Sequence, residues 1–362
     1  MGSKKKKVFV MMSGGVDSSV AAFLLREQGI YDVAGAFIKG YNVDGSQGKE
    51  AEDARRVAEQ LGIPFQIIDL EDEYKRFVVE YLVDGYRKGI TPNPDVMCNK
   101  EIKFGVFLDK ALALGADFVA TGHYVRMRHA TCDMQHGKSI IAYGLQQGID
   151  NNKDQSYFLW TLTQEQLKHC LFPVGEHTKS EIRSIAAKAG ISTAEKKDSQ
   201  GICFLGNIPL RVFLERYLPK QTGDIVTPDG VKVGEHDGAW FYTIGQRHGL
   251  HVGGGPAYFV IGKDVRNNVV TVSHDDRLRE QACVGVDLAE VNFMGSYAVQ
   301  PPHSIPVMAR IRYRQPLFPS LLIRNGDAYR LQFEKPQQFV APGQSAVLYD
   351  AGGVVIGGGV MQ

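Results

Sequence analysis

Two groups of residues in this 362-residue chain have the types and spacing to do chemistry. The first is Ser13-Gly14-Gly15-Val16-Asp17-Ser18-Ser19. Adjacent glycines let a backbone close around a phosphate with no Cβ in the way. Ser13, Ser18 and Ser19 can donate hydroxyls, and Asp17 can either hold Mg²⁺ or orient the loop. A lone Gly-Gly pair is more often a capped turn, but here an apolar run, Val8–Met12, precedes the heptad and a helical pattern, Val20–Gln28, follows it. That is a strand–helix junction, where exposed amides and the helix dipole bind anions. It is not a Walker A loop, because the Lys-Ser/Thr ending is missing.

The second group is a pair of cysteines. Cys98 lies in Asn93-Pro94-Asp95-Val96-Met97-Cys98-Asn99-Lys100, just before an expected helix, and Cys203 lies in Asp198-Ser199-Gln200-Gly201-Ile202-Cys203-Phe204, after Lys196-Lys197. Helix amides and Lys100 should favour the Cys98 thiolate. A single cysteine is by default a small buried hydrophobe. Two in polar loops beside cations suit sulfur transfer, in which one carries a persulfide and the other attacks it, leaving a disulfide. Cys132, Cys170 and Cys283 lack that setting, with Cys170 on an apolar helical face. No C-x-x-C is present, and an odd count of five argues against a disulfide framework.

These residues need a scaffold. Strand patterns at Val8–Met12, Val33–Ile38, Phe65–Leu70 and Asp117–Thr121 alternate with helical ones, including Glu50–Leu61 and Glu101–Leu114. Two prolines in Thr91–Asp95 predict a loop there. Repeated β-α-β units imply a parallel sheet with ligands at its carboxyl edge. Helices are expected at Gln164–Cys170 and Lys179–Ala189. After about residue 206 glycines multiply and β-branched runs such as Val269–Val272, Val307–Ile311 and Ala346–Leu348 predict a β-rich region ending in a barrel. Gly253–Gly255 and Gly357–Gly359 open no helix and predict tight β turns rather than phosphate loops.

Composition narrows the class. Lys and Arg number 41 against 40 Asp and Glu, which excludes a strongly basic chain but not a local phosphate-binding face. No apolar run nears the ~20 residues needed to cross a bilayer, and after Lys4–Lys7 there is no room for a secretory h-region. A cytoplasmic chain with reduced thiols is expected.

SGGVDSS resembles the pyrophosphate loop of the ATP-pyrophosphatase superfamily, whose members adenylate a carbonyl oxygen. The segments TPNPDVMCNKEIKF, ATGHY, NKDQSYFL, KKDSQGICF, IGQRHGL, RYRQ and PGQSAVLY resemble, in that order, the tRNA-specific 2-thiouridylase family. The resemblance implies an α/β fold: a parallel, doubly wound PP-loop ATPase sheet, a small central domain and a C-terminal β-barrel that contacts tRNA, divided at 1–205, 206–280 and 281–362. It implies ATP with Mg²⁺ as cofactors, and ATP contacts at Met11, Met12, Ser13, Gly14, Gly15, Val16, Asp17, Ser18, Ile38 and Gly122. Cys98 corresponds to the nucleophile and Cys203 to the persulfide carrier. Asn93, Pro94 and Asp95 correspond to the target-base contact, with Asp95 the acid/base candidate. Lys153, Asp154, Gln155, Arg312 and Tyr313 correspond to tRNA contacts. The activity implied is ATP-dependent thiolation of C2 of the wobble uridine, with tRNA and a sulfur-relay donor or cysteine desulfurase as partners and no membrane. Gly40–Lys49 carries no cysteine or tryptophan, so no role is transferred there.

The residues are compatible with an RNA ligand. Arg310-Ile311-Arg312-Tyr313-Arg314 predicts three guanidiniums on one strand face, either solvated or set against phosphate. From Arg310 to Lys335 there are six basic and two acidic residues. His123 could bind phosphate or cap a strand end. On the loop alone, an amide synthetase using ammonia or a nucleotide-binding regulator stays open.

Overall fold

The computed structural model describes residues 5–133, 139–198, 201–202, 204–206, 208–253, 255–274 and 282–362. Three sheets organise them. The first is parallel, with strands in the spatial order Phe65–Asp69, Tyr31–Lys39, Lys6–Met11, Phe118–Ala120 and Cys170–Leu171. Its central strand is buried on both faces. Val8 and Val10 pack with Val20 and Leu25, while Phe9 and Met11 pack with Leu82 and Phe107. This is the sandwiching that makes parallel strands read as continuous apolar runs. Strand order reverses between Lys6–Met11 and Phe118–Ala120, and a crevice opens at their carboxyl ends.

The central sheet joins Tyr258–Asp264, Val269–His274, Gly223–Val226 and Lys232–His236. The third runs through Cys283–Phe293, Ala328–Gln337, Phe318–Asn325, Ser304–Arg310, Ser345–Tyr349 and Val354–Met361, and closes because the last strand also pairs with the first. The expected barrel is therefore present.

Several sequence expectations need correction. The Val125–Asp133 and Ser139–Gln147 strands form a hairpin that sequence patterning missed. It joins the barrel sheet by pairing Gln146 and Leu145 with Val354 and Val355. Gly357–Gly359 lie within a strand rather than a turn. A Cβ at Gly358 would stand 2.7 Å from the Trp160 ring, and one at Gly357 2.1 Å from the Asn292 carbonyl. Cys170 sits on the short Cys170–Leu171 strand, not a helix, with its thiol donating to the Gln166 carbonyl. Burial pushes that thiol far up, so it is inert. The Thr91–Asp95 loop is shorter than expected, because Pro94 opens a helix whose N-cap, Asn93, accepts from Val96 N–H at 3.2 Å. Cys98 therefore lies inside a helix, formed by Pro94–Met97 and Cys98–Val106 in succession.

Candidate active site

A cavity of about 270 Å³ lies at the carboxyl edge of the parallel sheet, and Met11, Met12, Ser13, Asp17, Ser18, Ile38 and Gly122 line it. These are seven of the ten expected ATP contacts. Gly14, Gly15 and Val16 are not on its wall. The Val16 side chain is instead buried in the apolar cluster behind the loop. The loop keeps its shape by its own hydrogen bonds. Ser13 N–H donates to Ser18 Oγ at 3.1 Å, and the Ser18 and Ser19 hydroxyls both donate to the Gly15 carbonyl, at 3.2 and 2.8 Å. Ser19 is fully buried and also accepts from Thr193, so it is a brace and not a phosphate donor.

Two glycines in this site have no substitute. Gly14 has φ +72, and a Cβ there would stand 2.3 Å from the Glu50 carbonyl. A Cβ at Gly122 would stand 2.7 Å from Ser18 N, so Gly122 lets the Phe118–Ala120 strand end pass directly against the loop.

Asp17 is held from outside the loop. Its carboxylate accepts from the Tyr124 hydroxyl at 2.6 Å and from Lys179 Nζ at 2.7 and 2.8 Å. Lys179 also reaches Asp198 at 2.8 Å, and Asp198 pairs with Arg183 and Lys153 as well. Burial works to raise the Asp198 carboxyl, but Lys153 and Lys179 outweigh it and hold it at about 2. Lys196 donates to the Gly14 carbonyl at 2.9 Å and to Asp53 at 2.7 Å. Lys196 and, through Lys179, Asp198 are thus tied to the phosphate loop, a link the bare motif did not disclose.

Cys98 is buried and lines the same cavity, with Ile102, Lys103, His123 and Phe204. Lys100, expected to be its cation, is on another face of the helix. It lines a separate cavity with Met97 and Trp160, 3.5 Å from Glu101 and 3.8 Å from Glu290. His123 is buried, with Nδ1 2.7 Å from the Thr121 hydroxyl. Burial first and then the charge of Lys103 hold its imidazole well below the usual range, so the ring is neutral.

The residues expected to contact the target base open onto a further cavity of about 420 Å³, walled by Asn93, Pro94, Asp95, Tyr157, Phe158, Ile202, Arg312, Tyr313 and Gln344. The Phe158 and Tyr313 rings lie 4.5 Å apart by centroid, and the Arg312 guanidinium stands 5.3 Å over the Phe339 ring. Gln344, which sequence reading left without a role, donates to the Thr91 and Pro92 carbonyls and clasps the barrel to the base loop. Ile202 lines this cavity and Phe204 the ATP cavity. Cys203 itself lies outside the described residues.

The expected tRNA contacts divide. Arg312 and Tyr313 are on the cavity wall, but not on an alternating strand, because Ser304–Arg310 ends at Arg310 and Arg314 turns the chain with φ +64. Arg310 points inward, bonded to Asp154 at 3.1 Å. Asp154 is 2% exposed and also accepts from Gly148 and Ser156 N–H and from Gln147, so its carboxylate has no face left for RNA. Gln155 lines the ATP cavity and accepts from Tyr124 N–H, while Lys153 is paired with Asp198.

Comparison with known proteins identifies the family. The family described as tRNA methyl transferase HUP domain matches residues 6–207, its PRC-barrel domain residues 211–274, and the aminomethyltransferase beta-barrel domain residues 286–361. The tRNA-specific 2-thiouridylase MnmA of Staphylococcus aureus strain bovine RF122 / ET3-1 is 45% identical over 372 residues, covering 100% of this chain and 96% of the relative. That of strain JH9 is 45% identical over 369 residues, covering 99% and 95%. A solved U34-tRNA thiolase NcsA of Methanococcus maripaludis aligns with TM-score 0.37 and 17% identity, over 56% of this chain and 62% of that one. With 45% identity along essentially its whole length, the chain belongs to the tRNA-specific 2-thiouridylase family.

Proposed function

We propose that this chain thiolates C2 of the wobble uridine of tRNA, using ATP to activate the C2 oxygen and a cysteine persulfide as the sulfur source. One observation carries the residue assignment. A single helix presents Asp95 to the base cavity and Cys98 to the ATP cavity, while Ile202 and Phe204, either side of Cys203, line those same two cavities.

In the first step the uridine C2 oxygen bonds to the α-phosphorus as the bond to the β-phosphate bridge breaks. Pyrophosphate leaves with the electron pair, and the N3 proton passes to Asp95. AMP is now a good leaving group at C2. The terminal sulfur of the Cys203 persulfide attacks C2, and AMP departs with the C–O electrons. The Cys98 thiolate then attacks the inner sulfur of Cys203, freeing the thio-base and leaving a Cys98–Cys203 disulfide, which an external thiol reduces. The base reaches Asn93, Pro94 and Asp95 by leaving its stack, and the Phe158–Tyr313 pair offers it an aromatic face.

Mg²⁺ fits as a companion of the ATP phosphates rather than as a resident of a protein cage. Asp17 is occupied by Lys179 and Tyr124, and among the described residues no cluster of three or more ligating side chains exists. A sulfur-relay protein or cysteine desulfurase loads Cys203, in a cytoplasmic setting that keeps both thiols reduced. No helix among the described residues is long and apolar enough to cross a membrane. Residues 1–205 carry catalysis, 206–280 form the central domain and 281–362 the tRNA-contacting barrel.

The test is direct. The protein is incubated with ATP, a sulfur donor and unmodified tRNA, and the nucleosides are examined by mass spectrometry. Wild-type protein yields 2-thiouridine. Cys98→Ser and Cys203→Ser lose it by more than ~10³-fold, as loss of a covalent participant does, yet Cys98→Ser still releases pyrophosphate. Intact thiolation in either variant would sink the assignment.

A further inference from the structure

The cavity wall that carries Cys98 also carries a cation with no role so far. Among the described residues lining the ATP cavity, Lys103 is the one lysine or arginine. The other cations near the loop act from behind it: Lys179 on Asp17 and Asp198, Lys196 on Gly14 and Asp53. His123, on the cavity wall, is neutral. A triphosphate placed here would otherwise meet the carboxylates of Asp17 and Glu50 on the same wall.

The backbone explains why Lys103 faces this cavity. In a helix of about 3.6 residues per turn, the fifth residue after Cys98 would point roughly 140° away from it. Cys98–Val106 is wound more loosely, in π-helical turns that close on the fifth residue. The amide of Phe107 bonds to the Ile102 carbonyl, five back. Gly105 sits in the widened turn, where a Cβ would come within 3.0 Å of the Lys100 carbonyl. The winding brings Cys98, Ile102 and Lys103 onto one wall and leaves Lys100 on another.

We infer that Lys103 is a catalytic residue of the adenylation step. Its ammonium contacts the α-phosphate while the uridine oxygen bonds to phosphorus and pyrophosphate leaves. It stays with that phosphate as AMP is displaced by sulfur. This rests on the adenylating reading above, and it assigns the transition-state charge of that reaction to one side chain.

The experiment compares Lys103→Met and Lys103→Arg with wild type. Equilibrium binding of ATP and of adenosine is measured first, without tRNA. Single-turnover pyrophosphate release with unmodified tRNA follows, with melting temperature as the folding control. Lys103→Met is expected to weaken ATP and leave adenosine unchanged, and to slow pyrophosphate release by ~10²–10³-fold, the usual cost of removing one preorganised charge contact. Lys103→Arg should stay within about tenfold of wild type. ATP affinity and pyrophosphate release of Lys103→Met within about threefold of wild type would overturn the inference, including the case where only thiolation falls and the charge serves Cys98 instead. Should wild type itself release no pyrophosphate with tRNA, the adenylating reading fails, and the ATP-versus-adenosine comparison still decides the role of Lys103.

Discussion

The two cavities are built in different ways. The Ser13–Ser19 loop is a contiguous heptad in which Ser13, Gly15, Ser18 and Ser19 bond to one another across at most five residues, and Tyr124, Lys179, Thr193 and Lys196 brace it from within the same domain. The cavity beside Asp95 draws its wall from distant parts of the chain, among them Leu82, Asn93, Tyr157, Ile202, Leu210, Thr243, Arg312 and Gln344. It is held open by contacts such as Gln344 to Thr91 and Tyr157 to Ser345. A phosphate-type loop can be carried by one local motif, and the cavity beside it is walled by residues up to Phe204, before the barrel begins. A site for a large substrate met at a single base needs parts from across the chain. The first should therefore tolerate damage to the barrel, and the second should not.

The largest expected effect tests the second half of that contrast. Arg310→Met leaves Asp154 buried without its cation, and breaking such a pair costs ~3–5 kcal/mol. Urea unfolding should show that loss, and tRNA affinity should fall with it, while ATP affinity of the folded fraction stays near wild type. Equal loss of both affinities would erase the distinction between the two sites. Gly122→Ala tests the other half. A Cβ 2.7 Å from Ser18 N must push the loop aside, and a displaced binding group is expected to weaken ATP by ~10–100-fold, about 1.4–2.7 kcal/mol. tRNA affinity, measured by filter binding, should hardly change.

The smallest effect concerns how the central sheet meets the helix that leads to the base loop. Lys263 donates to the Tyr242 carbonyl at 2.6 Å and stands 5.6 Å over the Tyr86 ring. Burial lowers its ammonium from 10.5 to about 8. Between those values the unfolded chain holds a proton that the folded chain has shed, so stability rises with pH across that window. Below about 8 the full penalty is present. Relative to Lys263→Met, wild-type stability should gain ~1–3 kcal/mol from pH 8 to 10.5, read from urea midpoints.

What could be read from the residues follows the same division. The Ser13–Ser19 loop and its flanking strand and helix were legible because periodicity, glycines and hydroxyls sit side by side. Asp154 was not, because its partner Arg310 is 156 residues away and a Lys-Asp-Gln triplet looks like any polar loop. Nearness in sequence points to Lys100 as the cation of Cys98, but Cys98 lies inside a helix, where side chains two apart diverge, and the looser winding of Cys98–Val106 puts Lys103 on its wall instead. The arginine alternation at 310–314 fails because the strand stops and the chain turns at Arg314. The Val125–Asp133 and Ser139–Gln147 strands pair mainly with each other, and their place in the barrel sheet depends on two residues of the distant Val354–Met361 strand, which local patterning does not reveal.

That strand has a consequence for how the molecule comes into being. Gln146 donates to the Gly352 carbonyl across 206 residues, and the neighbouring pairing joins an early hairpin to a late strand. During synthesis, at ~5–20 residues per second, the hairpin waits tens of seconds for its neighbour, with an open edge exposed to mispairing. A nascent chain halted before Val354 would already contain the whole phosphate loop, yet its barrel would stay open. The order of manufacture thus finishes the phosphate loop long before the barrel can close.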